Sequence, residues 1–145
     1  MIRNLLMFSL ILLTSCKHYP ADPENSFTEA KQKGLKVGII HNPPVSVYTG
    51  PGDIDGTELE MIRKFARQEH MPLLLEFGSE SDLIQKLEHY DLHVVIGGFT
   101  GKTIWKKKAG LTAPYDQKHV FLIPKGENRL LAHLESFIFS KKPKK

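Results

Sequence analysis

Leu92-His93-Val94-Val95-Ile96-Gly97-Gly98-Phe99-Thr100 is the stretch on which the fold turns. Its apolar run is short, rich in branched residues and stopped by a glycine pair, the pattern of a strand buried on both faces. Such a strand needs helices above and below it, and the flanking sequence supplies them. Upstream, Leu59, Ile62, Phe65 and Ala66 recur at helical spacing, with Glu58, Arg63, Lys64 and Arg67 expected to point elsewhere. Ser79 or Ser81 can cap a short helix holding Leu83, Ile84 and Leu87. Downstream, Leu130, Leu131, Leu134, Phe137 and Ile138 form the clearest amphipathic stripe in the chain.

Three more apolar runs alternate with these helices. Leu35, Val37, Ile39 and Ile40 end at His41-Asn42-Pro43-Pro44, where two prolines forbid further regular pairing. Leu73 to Phe77 follow the first helix, and Val120 to Ile123 form a fourth strand stopped by Pro124. Val45 to Gly56, with Gly50-Pro51-Gly52-Asp53, reads as a turn-rich loop. Alternating strands and helices predict an α/β domain with a mostly parallel sheet and helices on both faces. Ligands in such sheets collect beyond the carboxyl ends of the strands, here the His41–Pro44 and Gly97–Thr100 turns.

The ends of the chain read differently. Residues 1–15 hold Arg3 and a nine-residue apolar run from Leu5 to Leu13, the grammar of an export signal and too short for a permanent membrane span. Leu13-Thr14-Ser15-Cys16 resembles the lipobox of bacterial lipoproteins, which implies cleavage before Cys16 and lipidation of its thiol. Cys16 is the only cysteine, so the exported part has no internal disulfide. Lys17 follows in place of the Asp that retains many such proteins at the inner membrane, which favours the outer membrane in a Gram-negative cell. Residues 16–33 are polar and read as a lipidated tether, 34–140 as the domain, and 141–145 as a basic tail. The formal charge of +4 rests on that tail and on Arg3; without them the chain is near neutral.

Together these features place the chain in the cell envelope, anchored to membrane lipid through Cys16, facing the periplasm or exterior. Nucleic acid is excluded as a partner by export and by the lack of a basic, aromatic-studded face. The seven histidines lack the close ligand spacing of a zinc site, so no metal or other cofactor is expected and His41 reads as a loop residue. There is no nucleophile with a base partner, no phosphate loop and no convincing carboxylate pair, and an enzyme is not expected. Asp53 and Asp55 make a turn.

Within the domain four segments resemble the periplasmic solute-binding proteins of the polar amino-acid type, family 3. Lys36-Val37-Gly38-Ile39 with Pro43-Pro44 is similar to the family's first strand and turn. Asp55 to Glu60 with Phe65-Ala66 is similar to its first helix, Val94 to Thr100 to the strand entering the ligand cleft, and Thr112-Ala113-Pro114-Tyr115 to the segment closing the first half of lobe one. The resemblance implies a single lobe of that fold and a small polar solute, with a transporter or other envelope protein as partner.

Two departures accompany it. After Pro114-Tyr115 the chain passes within a few residues to Val120–Pro124, which resembles the returning end of lobe one, with no second lobe between. Trp105 stands where the amino-acid binders place an Arg, and Lys106, Lys107 and Lys108 nearby lack its planar fork. The surface expected to meet a solute comprises Asn42, Tyr48, Gly98, Thr100, Trp105 and Tyr115. Gly97 and Gly98 either admit a ligand to the backbone or only permit a tight turn, and Trp105 and Tyr115 either wall a solute or cap the core. The rival expectation is that the same face docks a protein and has lost solute binding; a third is metal handling by the histidines.

Overall fold

A computed structural model describes residues 22–143. The export signal, Cys16, the first part of the tether and Lys144 and Lys145 lie outside the described residues.

A five-stranded sheet runs through the molecule in the order β4-β1-β5-β7-β6. β1 (Leu35–Ile39), β4 (Leu73–Phe77) and β5 (Val94–Ile96) are parallel, with Val37 facing Leu75 on one side and Val94 on the other. β7 (Leu122–Pro124) runs antiparallel to β5 and to β6 (Ala109–Leu111). The sheet is therefore mixed but mostly parallel, as expected: β4, β1, β5 and β6 run one way and β7 alone runs against them. The cause is local: β6 and β7 are joined by the short 112–121 connection, and a connection too short for a crossover helix returns the chain antiparallel.

Helices cover both faces. α1 (Ser26–Lys33), α2 (Thr57–Gln68) and α4 (Asn128–Lys141) share one core with Leu35, Val37, Ile39, Val94 and Ile96, while α3 (Glu80–Glu88) packs Leu83, Ile84 and Leu87 against Val95 and Leu122 on the other. Alternate residues of β5 thus enter opposite cores, as a central strand requires. Ser79 caps α3, its hydroxyl accepting the Asp82 N–H. On α4 the stripe is buried except for half-buried Leu131.

Four elements lie where the sequence suggested none. Residues 26–33, read as tether, form α1 with Phe27 and Ala30 buried. Two apolar residues three apart suffice here because α1 needs only a narrow stripe against α4: Phe27 stacks on His133 at 3.8 Å, and the Arg129 guanidinium covers the ring at 4.9 Å. Gly34, at φ 111°, turns the chain from α1 into β1. The expected 45–56 loop holds the hairpin β2 (Val47–Gly50) and β3 (Asp53–Asp55), and β6 is three residues long with one glycine, too brief to show alternation.

Candidate functional site

The parallel strands end together, and three connections meet there: Ile40–Ser46, Gly97–Gly101 and the 112–119 stretch. The first folds on itself, Asn42 N–H donating to Ser46 O (2.7 Å) and Asn42 O accepting from the N–H groups of Val45 and Ser46 (3.1 Å each). Its side chain then crosses to the second connection, Asn42 Nδ2 donating to Gly97 O at 2.8 Å.

That crossing explains the glycine pair. A Cβ on Gly97 would lie 2.8 Å from Ile40 Cβ, and one on Gly98 would lie 2.6 Å from Asn42 Nδ2, at a φ of 75° that already favours glycine. Packing against the first connection accounts for both residues.

Beneath them sits Glu58, expected to point outward from α2 and found fully buried. Its carboxylate accepts the Gly98 N–H (3.0 and 3.2 Å) and the Tyr115 hydroxyl (2.7 Å), and its own N–H donates to Val45 O (3.0 Å). One residue therefore ties all three connections, two by its side chain and one by its backbone. Burial pushes the Glu58 carboxyl above its ordinary range, against the pull of the Tyr115 hydroxyl and the Gly98 and Gly97 N–H groups, and the Tyr115 phenol is raised by burial and by Glu58. The helical pattern alone hid Glu58, because position 58 stands next to apolar Leu59 in the first turn, where an acid is ordinarily explained by the helix dipole.

Of the residues expected to meet a solute, Asn42, Gly98, Thr100 and Tyr115 gather at these strand ends. Asn42 and Gly98 hold each other. Tyr115 is committed to Glu58 and stacks on Phe121 at 4.8 Å. Thr100 lines an open hollow of about 470 Å³ with Gly101, Lys102, Pro114 and Lys118. Tyr48 lies on the hairpin, its ring 3.9 Å from Phe77, and its N–H donates to His41 Nδ1 at 3.0 Å. Trp105, in a 3-10 turn over Ile104–Lys107, packs toward the α3 side of the core and donates its indole N–H to Glu80. Neither of these two aromatics lines the hollow.

The rim of the hollow is stiffened. Thr100 and His119 form a β-bridge, and His119 Nδ1 lies 2.6 Å from Asp116 Oδ2, while Asp116 Oδ1 accepts the N–H groups of Lys118 and His119. Burial works to raise the Asp116 carboxyl, but these hydrogen bonds hold it down at about 2. With Asp116 engaged internally, the polar residues that line the hollow are Thr100, Lys102 and Lys118, whose side chains carry donors suited to an anionic or carbonyl oxygen. A larger hollow of about 620 Å³ is lined in part by Pro43, Pro44, Val47, Met61 and Lys64. Among the described residues no group of three or more His, Cys, Asp or Glu is placed to hold a metal ion.

Known proteins give the same picture of the fold. Domain 1 of the arginine-binding protein of T. maritima, in its arginine-bound form, superposes with a TM-score of 0.69 at 24% identity, covering 77% of this chain and 97% of that one. An ancestral amino-acid-binding protein, a precursor of cyclohexadienyl dehydratase, superposes at 0.69 with 12% identity, over 79% of this chain and 92% of the other. In sequence, the membrane-bound lytic murein transglycosylase F of Vibrio campbellii is 27% identical over 143 residues, 92% of this chain and 27% of that protein. Its counterpart in Shewanella sp. is 29% identical over 102 residues, 69% of this chain and 21% of its own length. The chain thus spans about a quarter of the length of these relatives. The model of the bacterial extracellular solute-binding proteins, family 3, matches residues 35–144, and the chain belongs to that family.

Proposed function

We propose that this protein is a lipid-anchored, extracytoplasmic solute-binding-like lobe that serves as a binding or accessory component of a transport system and carries out no catalysis of its own. The observation that carries the reading is the hollow at the strand ends, bordered by Thr100, Lys102 and Lys118 on a family 3 lobe. The transglycosylase relatives are matched over about a quarter of their length, and the catalytic activity in their name stays with them. Titration of isotope-labelled protein with a panel of polar amino acids tests the reading by amide chemical shifts. Movement concentrated at Thr100, Gly101, Lys102 and Lys118 is expected; no movement there with any member of the panel rejects solute binding.

The second reading is a protein-docking lipoprotein that has lost its solute. It is favoured by the use of the Tyr115 hydroxyl and the Trp105 indole N–H inside the molecule, on Glu58 and Glu80. Crosslinking and pull-down of the lipidated protein from its own membranes tests it. Anchoring is tested separately: Cys16→Ser should leave unprocessed precursor and abolish labelling by a fatty-acid probe, and unchanged labelling rejects the lipid site.

A further inference from the structure

We infer that the edge of the lobe formed by the Ile104–Lys107 turn and Lys125 is a contact surface for an anionic lipid bilayer, a second hold on the membrane beside the proposed Cys16 anchor, on which reading this inference rests. Ile104 is 78% exposed, the most exposed of the large apolar side chains among the described residues. Lys106, Lys107 and Lys108 follow within four residues and are all exposed, as is Lys125. Lys125 belongs to the same patch in space, its Nζ donating to Lys107 O at 3.0 Å. Lys108 is paired with Glu88 at 3.2 Å, whereas Lys106, Lys107 and Lys125 form no ion pair among the described residues. One exposed branched apolar side chain with an indole beside it and unpaired lysines around it is the composition that settles at a headgroup boundary.

The position of the patch argues for a membrane in particular. The described chain begins at Asp22, and its first residues are fastened beside Lys125: Glu24 N–H donates to Glu127 Oε1 at 2.9 Å, and Pro23 lies against Gly126. The point from which the tether leaves for Cys16 is therefore two residues from Lys125. Ala109 pairs with Pro124, so this end of β6 and β7 carries the patch. Pro114 and Lys118 of the hollow lie in the connection at their other end.

Trp105 is the chain's single tryptophan and sits within the patch, so the contact reports itself. Mature lipidated protein purified from its membranes is reconstituted into vesicles of phosphatidylcholine alone or with about one third phosphatidylglycerol, a fraction chosen to give a strongly negative surface. Phosphatidylcholine brominated in its acyl chains serves as quencher. Quenching of Trp105 should appear only with the anionic lipid and be reversed in about 0.5 M salt, where the Debye length falls to a few ångströms. The Lys106→Gln, Lys107→Gln, Lys125→Gln triple variant should weaken the response about a hundredfold in apparent partition, from about fivefold per lysine. The matching triple Arg variant should retain it, which separates lost charge from lost fold. Equal Trp105 emission in both vesicle types, or full quenching in the Gln variant, overturns the contact. Flotation with phosphatidylcholine vesicles reads the Cys16 anchor alone. Protein that floats unquenched in anionic vesicles overturns the contact and leaves the anchor standing; protein quenched there that fails to float on phosphatidylcholine upholds the contact and rejects the anchor.

Discussion

Glu58 shows how much one side chain can organise at a strand end. Its carboxylate satisfies a backbone N–H and a phenol that would otherwise be buried without partners. Glu58→Ala orphans both, and at about 1 to 3 kcal/mol for each unsatisfied buried group the loss should be about 2 to 6 kcal/mol in denaturant melts. Tyr115→Phe removes one hydrogen bond only and should cost about 1 to 2 kcal/mol. The sign with pH follows from burial: the folded carboxyl binds its proton more readily than the unfolded one. Its contribution is greatest below the ordinary carboxylate range and declines as pH rises through the raised value.

Asp22 carries a second pH dependence. Burial and the neighbouring Glu127 carboxyl raise it to about 6, and its Oδ1 is buried without a partner among the described residues. Burial also opposes ionisation of Glu127, but Asp22 and the N–H groups of Glu24 and Ser26 hold that carboxyl below its usual range. The proton therefore resides on Asp22. Because its folded value exceeds the ordinary 3.8, Asp22 stabilises below about 4, and that contribution is lost as pH rises through about 6. Asp22→Asn, a permanent mimic of the protonated acid, should melt at about the wild-type temperature at pH 4 and a few degrees higher at pH 7. Parallel curves for the two proteins would place the proton elsewhere.

At the scale of elements, α1 decides where the domain begins. Phe27 is 2% exposed, held between His133 and Arg129, so Phe27→Ala should cost about 3 to 5 kcal/mol. A tether residue would cost nothing. Leu134→Ala on α4, where the side chain is fully buried, should cost about 2 to 5 kcal/mol by the same measurement.

The elements that could be read from sequence are those whose burial is written into a repeating pattern. β1, β4, β5, α2, α3 and α4 each carry several apolar residues at their period, and all form. α1 is held by two inward residues and by polar ties from distant parts of the chain. His93 accepts the Lys36 N–H, its other ring nitrogen lies 3.4 Å from Glu29, and Glu127 accepts the Ser26 N–H. Such ties leave no periodicity. β2, β3 and β6 are too short to alternate. Asn42, Gly98, Thr100 and Tyr115 could be placed near the strand ends from sequence because they follow the apolar runs, whereas their internal contacts could not. Glu58 could not be placed there, since its partners lie 40 and 57 residues away.

For the whole molecule, the open hollow sets a ceiling on affinity. A solute held on one face stays half in water, and the lining of the hollow holds no Arg to make a bidentate charge-assisted contact, of the kind worth about 1.5 to 3 kcal/mol per hydrogen bond. Losing one such contact weakens binding by roughly tenfold to a hundredfold. Calorimetry of the purified monomer against polar amino acids should accordingly give nothing tighter than about the high micromolar range. Submicromolar binding would mean that Lys102 and Lys118 replace what the missing guanidinium supplied.

The connection between β6 and β7 has a consequence for engineering. Thr112 and Phe121 are clamped together, the Thr112 N–H donating to Phe121 O at 3.1 Å and the Phe121 N–H to the Thr112 hydroxyl at 3.0 Å, and Tyr115 N–H donates to His119 O. Its tip at Gln117 is exposed and lies outside every one of those bonds. A foreign domain with closely spaced termini could be grafted at Gln117 with the sheet undisturbed, because the closure entropy of a loop already pinned at its base grows only slowly with added length. The hollow beside that graft would then serve as the input of a sensor whose output is the shape or fluorescence of the guest.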